Sequence, residues 1–101
     1  MTSPIKTQPV IKVVFSTVKV KLLEQQRKLL IEIAELKDSI KKYEAAIYDI
    51  KAKIDARKKA GITDNMDLDA KLKALIKARN QANTDLTIML MKLAYIEAKL
   101  K

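Results

Sequence analysis

The sequence predicts an all-α protein, a long antiparallel two-helix coiled-coil hairpin that is expected to oligomerise into a helical bundle. Three observations support this fold class. The 101-residue chain has 33% charged and 49% hydrophobic residues but only one glycine and two prolines, a composition typical of long helices. Apolar residues recur at heptad spacing in two separate runs. The single glycine, Gly61, lies between these runs, which indicates two helices joined by a turn.

Residues 1–16 are predicted to form an extended N-terminal arm. Pro4 and Pro9 each favour an extended conformation in the residue before them. Residues 10–15 are rich in β-branched side chains, which favours a short strand, but their apolar residues also fit helical spacing, so helix is the alternative. A lone strand has no partner within this chain, so its unpaired backbone groups would require an edge from another molecule.

The first helix is predicted to span about residues 17–60. Its seam follows alternating steps of four and three residues through Leu29, Ile33, Leu36, Ile40, Tyr43, Ile47, Ile50 and Ile54. Arg57, Lys58 and Lys59 place positive charge in the last turn, where it complements the helix dipole. Gly61 can adopt the left-handed conformation that ends a helix, so the helix is expected to stop there.

A turn at residues 61–65 and a second helix at about residues 66–100 follow. Side-chain oxygens that can cap this helix are offered by Thr63, Asp64 and Asn65. Asp67 and Asp69 add negative charge to the first turn. The second seam contains Leu68, Leu72, Leu75, Arg79, Ala82, Leu86, Met89, Leu93, Ile96 and Leu100. A connection this short forces two long helices to run antiparallel.

The hairpin has a predicted register and one architectural rival. A fold at about residue 63 places Ile54 beside Leu72 and Leu29 near Ile96, which leaves residues before about Gln26 without a counterpart. The rival is a continuous parallel rod, because isoleucine at all four a positions of the first seam favours parallel two-stranded coils. The turn glycine, the capping residues and the matched second seam favour the hairpin.

Arg79 is the charged residue of the second seam and occupies an a position. A buried polar residue at such a position can specify register, or its long side chain can extend past the seam to water. Asp49 and Asp85 are the candidate partners for its guanidinium group.

Apolar residues outside the two seams cluster toward the chain termini. The eight are Leu23, Leu30, Ile31, Ala34, Ile88, Leu90, Met91 and Tyr95. Burying a large apolar side chain contributes ~1.5–3 kcal/mol, so leaving most of these in water would forgo on the order of 10 kcal/mol. We therefore predict that they form an oligomer or partner interface together with Val13 and Phe15 of the arm. The alternative is that the chain's own N-terminal segment folds back over them.

Basic residues concentrate toward the predicted turn. Candidate polyanion contacts are Lys51, Lys53, Arg57, Lys58, Lys59, Lys71, Lys73 and Lys77. The formal net charge of +9 makes attraction to nucleic acid physically reasonable. Several aspartates precede lysines by four residues, as on an ordinary solvated helix, and this argues against a specific polyanion site. The pairs are Asp49 and Lys53, Asp55 and Lys59, Asp67 and Lys71, and Asp69 and Lys73. No aromatic residue interleaves the lysines, which argues against stacking on unpaired bases.

Catalysis has little to draw on in this composition. The chain has no histidine and no cysteine, which removes imidazole bases, thiolate nucleophiles and zinc sites with nitrogen or sulfur ligands. Residues 64–69 have aspartates spaced like a calcium loop, but the third position is Met66 and no glycine stands at the sixth. We expect no enzyme activity, no metal and no cofactor.

The sequence favours a non-enzymatic structural or assembly protein that mediates protein–protein association. It would be a subunit, accessory protein or chaperone of a larger assembly, such as those of phages or secretion systems. A basic, dimeric nucleic-acid-binding module is the alternative. The most apolar window, residues 86–96, is well short of the ~20 residues that span a membrane, and the N-terminus does not have the pattern of a signal peptide. Membrane partners are therefore disfavoured, and the expected location is the cytoplasm or a larger particle.

Overall fold

A computed structural model describes the backbone of residues 3–101 and the side chains of residues 17–101. It contains two long helices, α1 (Ser3–Lys59) and α2 (Met66–Leu100), with no strand in the described part of the chain. The helices pack against each other in an elongated molecule with extents of 93 × 18 × 14 Å. The predicted all-helical hairpin is confirmed, and the continuous rod is wrong.

The predicted extended arm at residues 1–16 is not confirmed. α1 begins at Ser3 and therefore includes residues 10–15, where a strand was considered. The helical alternative has a physical advantage, because a helix satisfies its backbone hydrogen bonds internally whereas a lone strand needs a partner edge. The side chains of Val13 and Phe15, which were predicted to join an interface, lie outside the described residues.

The two heptad seams form the core. The most deeply buried side chains of α1 are its four a-position isoleucines, each at most 9% exposed: Ile33, Ile40, Ile47 and Ile54. Those of α2 are Leu68, Ala82, Leu93 and Ile96. The d-position residues of α1 are half-buried. Because only two helices meet, the core is a single narrow strip along the hairpin rather than a central mass.

The end of α1 is a Schellman motif centred on Gly61. Gly61 has φ = 83°, in the left-handed region that glycine tolerates best. Its N–H donates to the Lys58 carbonyl at 3.0 Å, and the Ile62 N–H donates to the Arg57 carbonyl at 2.9 Å. These bonds occupy carbonyls that the last helical turn would otherwise leave unpaired. The predicted role of Gly61 is thereby confirmed.

The start of α2 is capped by Asp64, the residue before the N-cap position, rather than by the N-cap residue itself. Asp64 accepts a hydrogen bond through Oδ1 from the Met66 N–H at 3.3 Å. Asn65 occupies the N-cap position, yet its side chain makes no capping bond. Instead its Nδ2 donates to the Ile62 carbonyl at 3.4 Å, and the residue is only 4% exposed. Asn65 thus braces the turn from within, while Asp64 caps the helix.

Arg79 extends past the seam rather than forming an ion pair. Its Nη2 donates to Asn80 Oδ1 at 3.2 Å, while its Nε is buried and has no hydrogen-bond partner. Of the two candidate carboxylates, Asp85 accepts a bond from Gln81 at 3.1 Å, and neither forms an ion pair with Arg79. The seam therefore carries a cation that is only partly compensated.

Candidate functional site

Exposed apolar side chains are concentrated at one end of the hairpin, which we call the base: residues 17–34 of α1, and residues 86–101, which comprise the last turns of α2 and its C-cap. Twelve large apolar residues are exposed among the described side chains. Nine of them belong to the base: Val18, Val20, Leu23, Leu30, Ile31, Ile88, Leu90, Met91 and Tyr95. Ala34, the remaining residue of the predicted interface, is exposed as well. All eight described residues of that interface are therefore open to contact.

α1 extends beyond the end of α2 at the base. Leu29 and Ile96 line one groove and Ile54 and Leu72 line another, as the predicted register requires. In this register Leu100, the last residue of α2, lies level with about Gln26. Residues 3–25 of α1, about 35 Å of helix at 1.5 Å per residue, therefore extend past this level, although Leu22 and Gln25 still line a groove together with α2 residues. We call this part of α1 the overhang.

A groove of about 650 Å³ lies between the helices at the base, and we call it the base groove. Its apolar lining consists of Leu22, Leu29, Ile88, Met91, Tyr95 and Ile96. Its polar lining consists of Gln25, Lys28, Glu32, Lys92 and Lys99. The Lys99 ammonium lies 4.4 Å from the centre of the Tyr95 ring, a cation–π contact at the edge of the groove.

The eight predicted interface residues do not share one face. Ile88, Met91 and Tyr95 line the base groove. The heptad register places Leu23, Leu30 and Leu90 at e positions, on the opposite flank of the seam, with Ala34 beside them at b and Ile31 farther out at f. The base therefore presents two apolar flanks, whereas the sequence interpretation assigned all eight residues to one interface.

Several groove residues were missed by the sequence interpretation. Gln25, Lys28, Lys92 and Lys99 were not among the predicted site residues, and Leu22 lay before the start of the assigned seam. The signal that could have identified them is their c, d or g position, which borders the seam on the same side of both antiparallel helices.

The base groove is positively charged. Lys28, Lys92 and Lys99 oppose the single carboxylate of Glu32, a balance of three positive charges to one negative. None of these four residues belongs to an ion pair within the described side chains, where three such pairs occur. Their charges are therefore available to a ligand.

The tip, which we define as residues 51–79, contains the predicted basic cluster. Asp55 pairs with Lys59 at 3.2 Å, as the spacing indicated. Asp67 pairs across the turn with Arg57 at 3.3 Å instead of with the predicted Lys71. Six exposed lysines of the tip take no part in the ion pairs found among the described side chains: Lys51, Lys53, Lys58, Lys71, Lys73 and Lys77.

Asp67 is the carboxyl group with a perturbed acidity at the tip. A hydrogen bond from the Leu68 backbone and the nearby Arg57 guanidinium hold the pKa of Asp67 below its usual value of 3.8. Both side chains are substantially exposed to water, so the ion pair itself contributes little to stability.

A second, smaller groove of about 310 Å³ lies at the tip. Ile54 and Leu72 form its apolar lining. Its charged lining consists of Lys51, Lys58, Asp55 and Asp69, two groups of each sign. The tip groove is thus electrically balanced, unlike the base groove.

The fold and these surfaces define an antiparallel coiled-coil hairpin with an exposed apolar base. No protein-family model, curated protein or solved structure matches the chain. Neither described helix is both long and apolar enough to cross a membrane. The described side chains also contain no group of three or more acidic residues arranged to hold a metal ion.

Proposed function

We propose that this protein is a non-enzymatic structural or assembly protein whose base mediates protein–protein association. One observation carries the proposal: nine of the twelve exposed large apolar side chains of the described chain lie at the base. Scattered apolar residues are normal on protein surfaces, but a concentrated apolar region is typical of an interaction site.

The overhang supports the same proposal from geometry. Its described part carries Val18 and Val20, each more than half exposed, and Leu23 at 44%. A helix in a globular protein gains most of its stability from packing an apolar face, and residues 17–21 of the overhang are exposed and line no groove with α2. A partner that covers the overhang and the base would provide it.

Two arrangements would cover the base. Copies of the chain could join into a helical bundle, or the hairpin could dock as a subunit, accessory protein or chaperone in a larger assembly of the phage or secretion type. Both use the base for association and leave the tip facing other components.

The test compares two tyrosines of similar exposure, Tyr95 at the base (63%) and Tyr48 between base and tip (74%). We expect the purified chain at tens of micromolar either to sediment above its monomer mass of 11.4 kDa or to bind a hydrophobic dye. Tyr95→Glu should reduce the observed signal, whereas Tyr48→Glu should leave it unchanged. A monomer that binds no dye would overturn the proposal.

A basic nucleic-acid-binding module is the second candidate, favoured by the six tip lysines outside the ion pairs. It predicts that double-stranded DNA binds in a filter assay and that affinity falls steeply as salt rises, because phosphate contacts release counterions. Replacing Lys51, Lys58 and Lys71 with glutamine should weaken this binding. No retention on the filter at low salt would eliminate this candidate.

A further inference from the structure

We infer that the base groove binds an acidic amphipathic α-helix from a different protein, completing a local three-helix bundle. The inference rests on the proposed function and names the chemistry of the partner. It follows from the shape of the groove, the position of its charges and the charge of the competing occupants.

The shape of the groove fits a short helix. Its lining runs from Leu22 to Glu32 on α1 and from Ile88 to Lys99 on α2, about 16 Å along each helix, or three helical turns. Leu29 and Ile96 are the seam residues of this lining, and Ile96 is only 8% exposed. A groove between two packed helices accepts the apolar face of a third, with anchors at i, i+3 or i+4, and i+7.

The charges of the groove specify the flanks of that helix. Along α2, Ile88 is followed one turn later by Lys92, and Tyr95 by Lys99, so two of the apolar wall residues each have a cation one turn away. Lys28 faces them from α1. A bound helix with a leucine stripe and glutamates on both sides would fill the apolar lining and pair with the lysines.

A second copy of this chain is a poorer occupant of the groove. The described part of its overhang with the adjacent turn carries Lys19, Lys21, Arg27 and Lys28 against Glu24 alone. Inserting that segment would bring like charges together in a groove that already has an excess of lysine, which opposes binding. The same argument applies to the chain's own N-terminal region, in which Lys6 and Lys12 have no acidic counterpart before Glu24.

The test uses two synthetic helical peptides and the full chain. Both peptides carry leucines at i, i+4, i+7 and i+11; one has glutamates on its flanks and the other has lysines. Fluorescence anisotropy at physiological salt should show binding of the glutamate peptide, with the lysine peptide at least tenfold weaker.

Two triple variants with the same change in charge separate the groove from diffuse attraction. Lys28→Glu, Lys92→Glu and Lys99→Glu together should weaken the glutamate peptide at least tenfold and create affinity for the lysine peptide. The matched tip variant, with Lys51→Glu, Lys58→Glu and Lys71→Glu, should change either affinity less than threefold. Circular dichroism establishes that both variants remain helical.

Each contrary result has a distinct meaning. If the two triple variants lose affinity for the glutamate peptide equally, or if the two peptides bind with equal affinity, the inference is overturned. Binding would then reflect general electrostatic attraction to a basic surface rather than recognition by the groove. A homodimer whose dissociation requires changes in the groove would also overturn it, because a second copy would then be the occupant. If neither peptide binds while Tyr95→Glu still reduces association or dye binding, this inference fails and the proposed function stands.

Discussion

The tip and the base of the hairpin share one heptad seam but differ in what borders it. At the tip, Ile54 and Leu72 are flanked by lysines and aspartates in equal number, and the groove there is small. At the base, Leu29 and Ile96 are flanked by further apolar residues and an excess of lysine, and the groove is about twice as large. The seam thus determines the fold, whereas the residues beside the seam determine where a partner can bind.

The largest expected effect is on the free energy of unfolding, and it should distinguish a buried seam residue from an exposed residue at the base. Ile54→Ala removes a buried side chain, so we expect a loss of about 2–4 kcal/mol in the free energy of unfolding, measured by urea denaturation. Ile31→Ala, at a residue 53% exposed, should cost less than about 0.5 kcal/mol in the unassembled chain. Comparable losses would show that the base is already covered within the monomer.

Gly61→Ala tests the turn that brings the two seams together. An added Cβ would meet nothing within 4 Å, so the cost arises from the positive φ alone. We expect a loss of about 1–2 kcal/mol in unfolding free energy with the helix content unchanged by circular dichroism. Gly61→Asn, which tolerates the left-handed conformation better, should lose less. An alanine variant as stable as the parent would contradict the Schellman geometry.

Arg79→Leu should stabilise the hairpin at the tip. The substitution removes a buried, unpartnered Nε and places an apolar side chain at an a position of the seam. We expect a gain of about 1 kcal/mol, seen as a higher urea midpoint. Sedimentation of the variant checks that the oligomeric state has not changed, because polar a residues can also specify partner choice. A lower midpoint would indicate that the guanidinium is better satisfied than the observed contacts imply.

The smallest effect concerns Asp67. Because its pKa is lowered in the folded chain, Asp67 contributes stability above the usual carboxyl pKa of 3.8, and this contribution disappears as pH falls through the folded value. Asp67→Asn should therefore make the acid side of the stability profile slightly less steep. Arg57→Gln should raise the pKa of Asp67, followed by NMR titration of its carboxyl carbon. An unchanged pKa would assign the shift to the backbone hydrogen bonds of Leu68 and Asp67.

The hairpin was accessible from sequence because its determinants are local and periodic. Heptad spacing identified both seams, and Gly61 with its neighbours identified the turn. Asp67 shows where local reasoning fails: the i, i+4 rule paired it with Lys71, but the turn brings Arg57 closer from the other helix. The base groove was not predicted for a related reason. Lys28 and Lys99 come to line the same groove only once the two antiparallel helices have a fixed register. The N-terminal arm was ambiguous because β-branched composition and helical spacing favoured different structures.

The overhang should also differ from the rest of α1 in the rate at which its amide hydrogens exchange with solvent. Residues 17–21 are exposed and none of them lines the groove with α2, so their backbone hydrogen bonds are supported mainly by helix propensity, which is marginal in water. Amide hydrogens there should exchange with solvent much faster than those of residues 29–54. Any partner that covers the overhang would slow this exchange, and the gain in protection would report occupancy of the base directly.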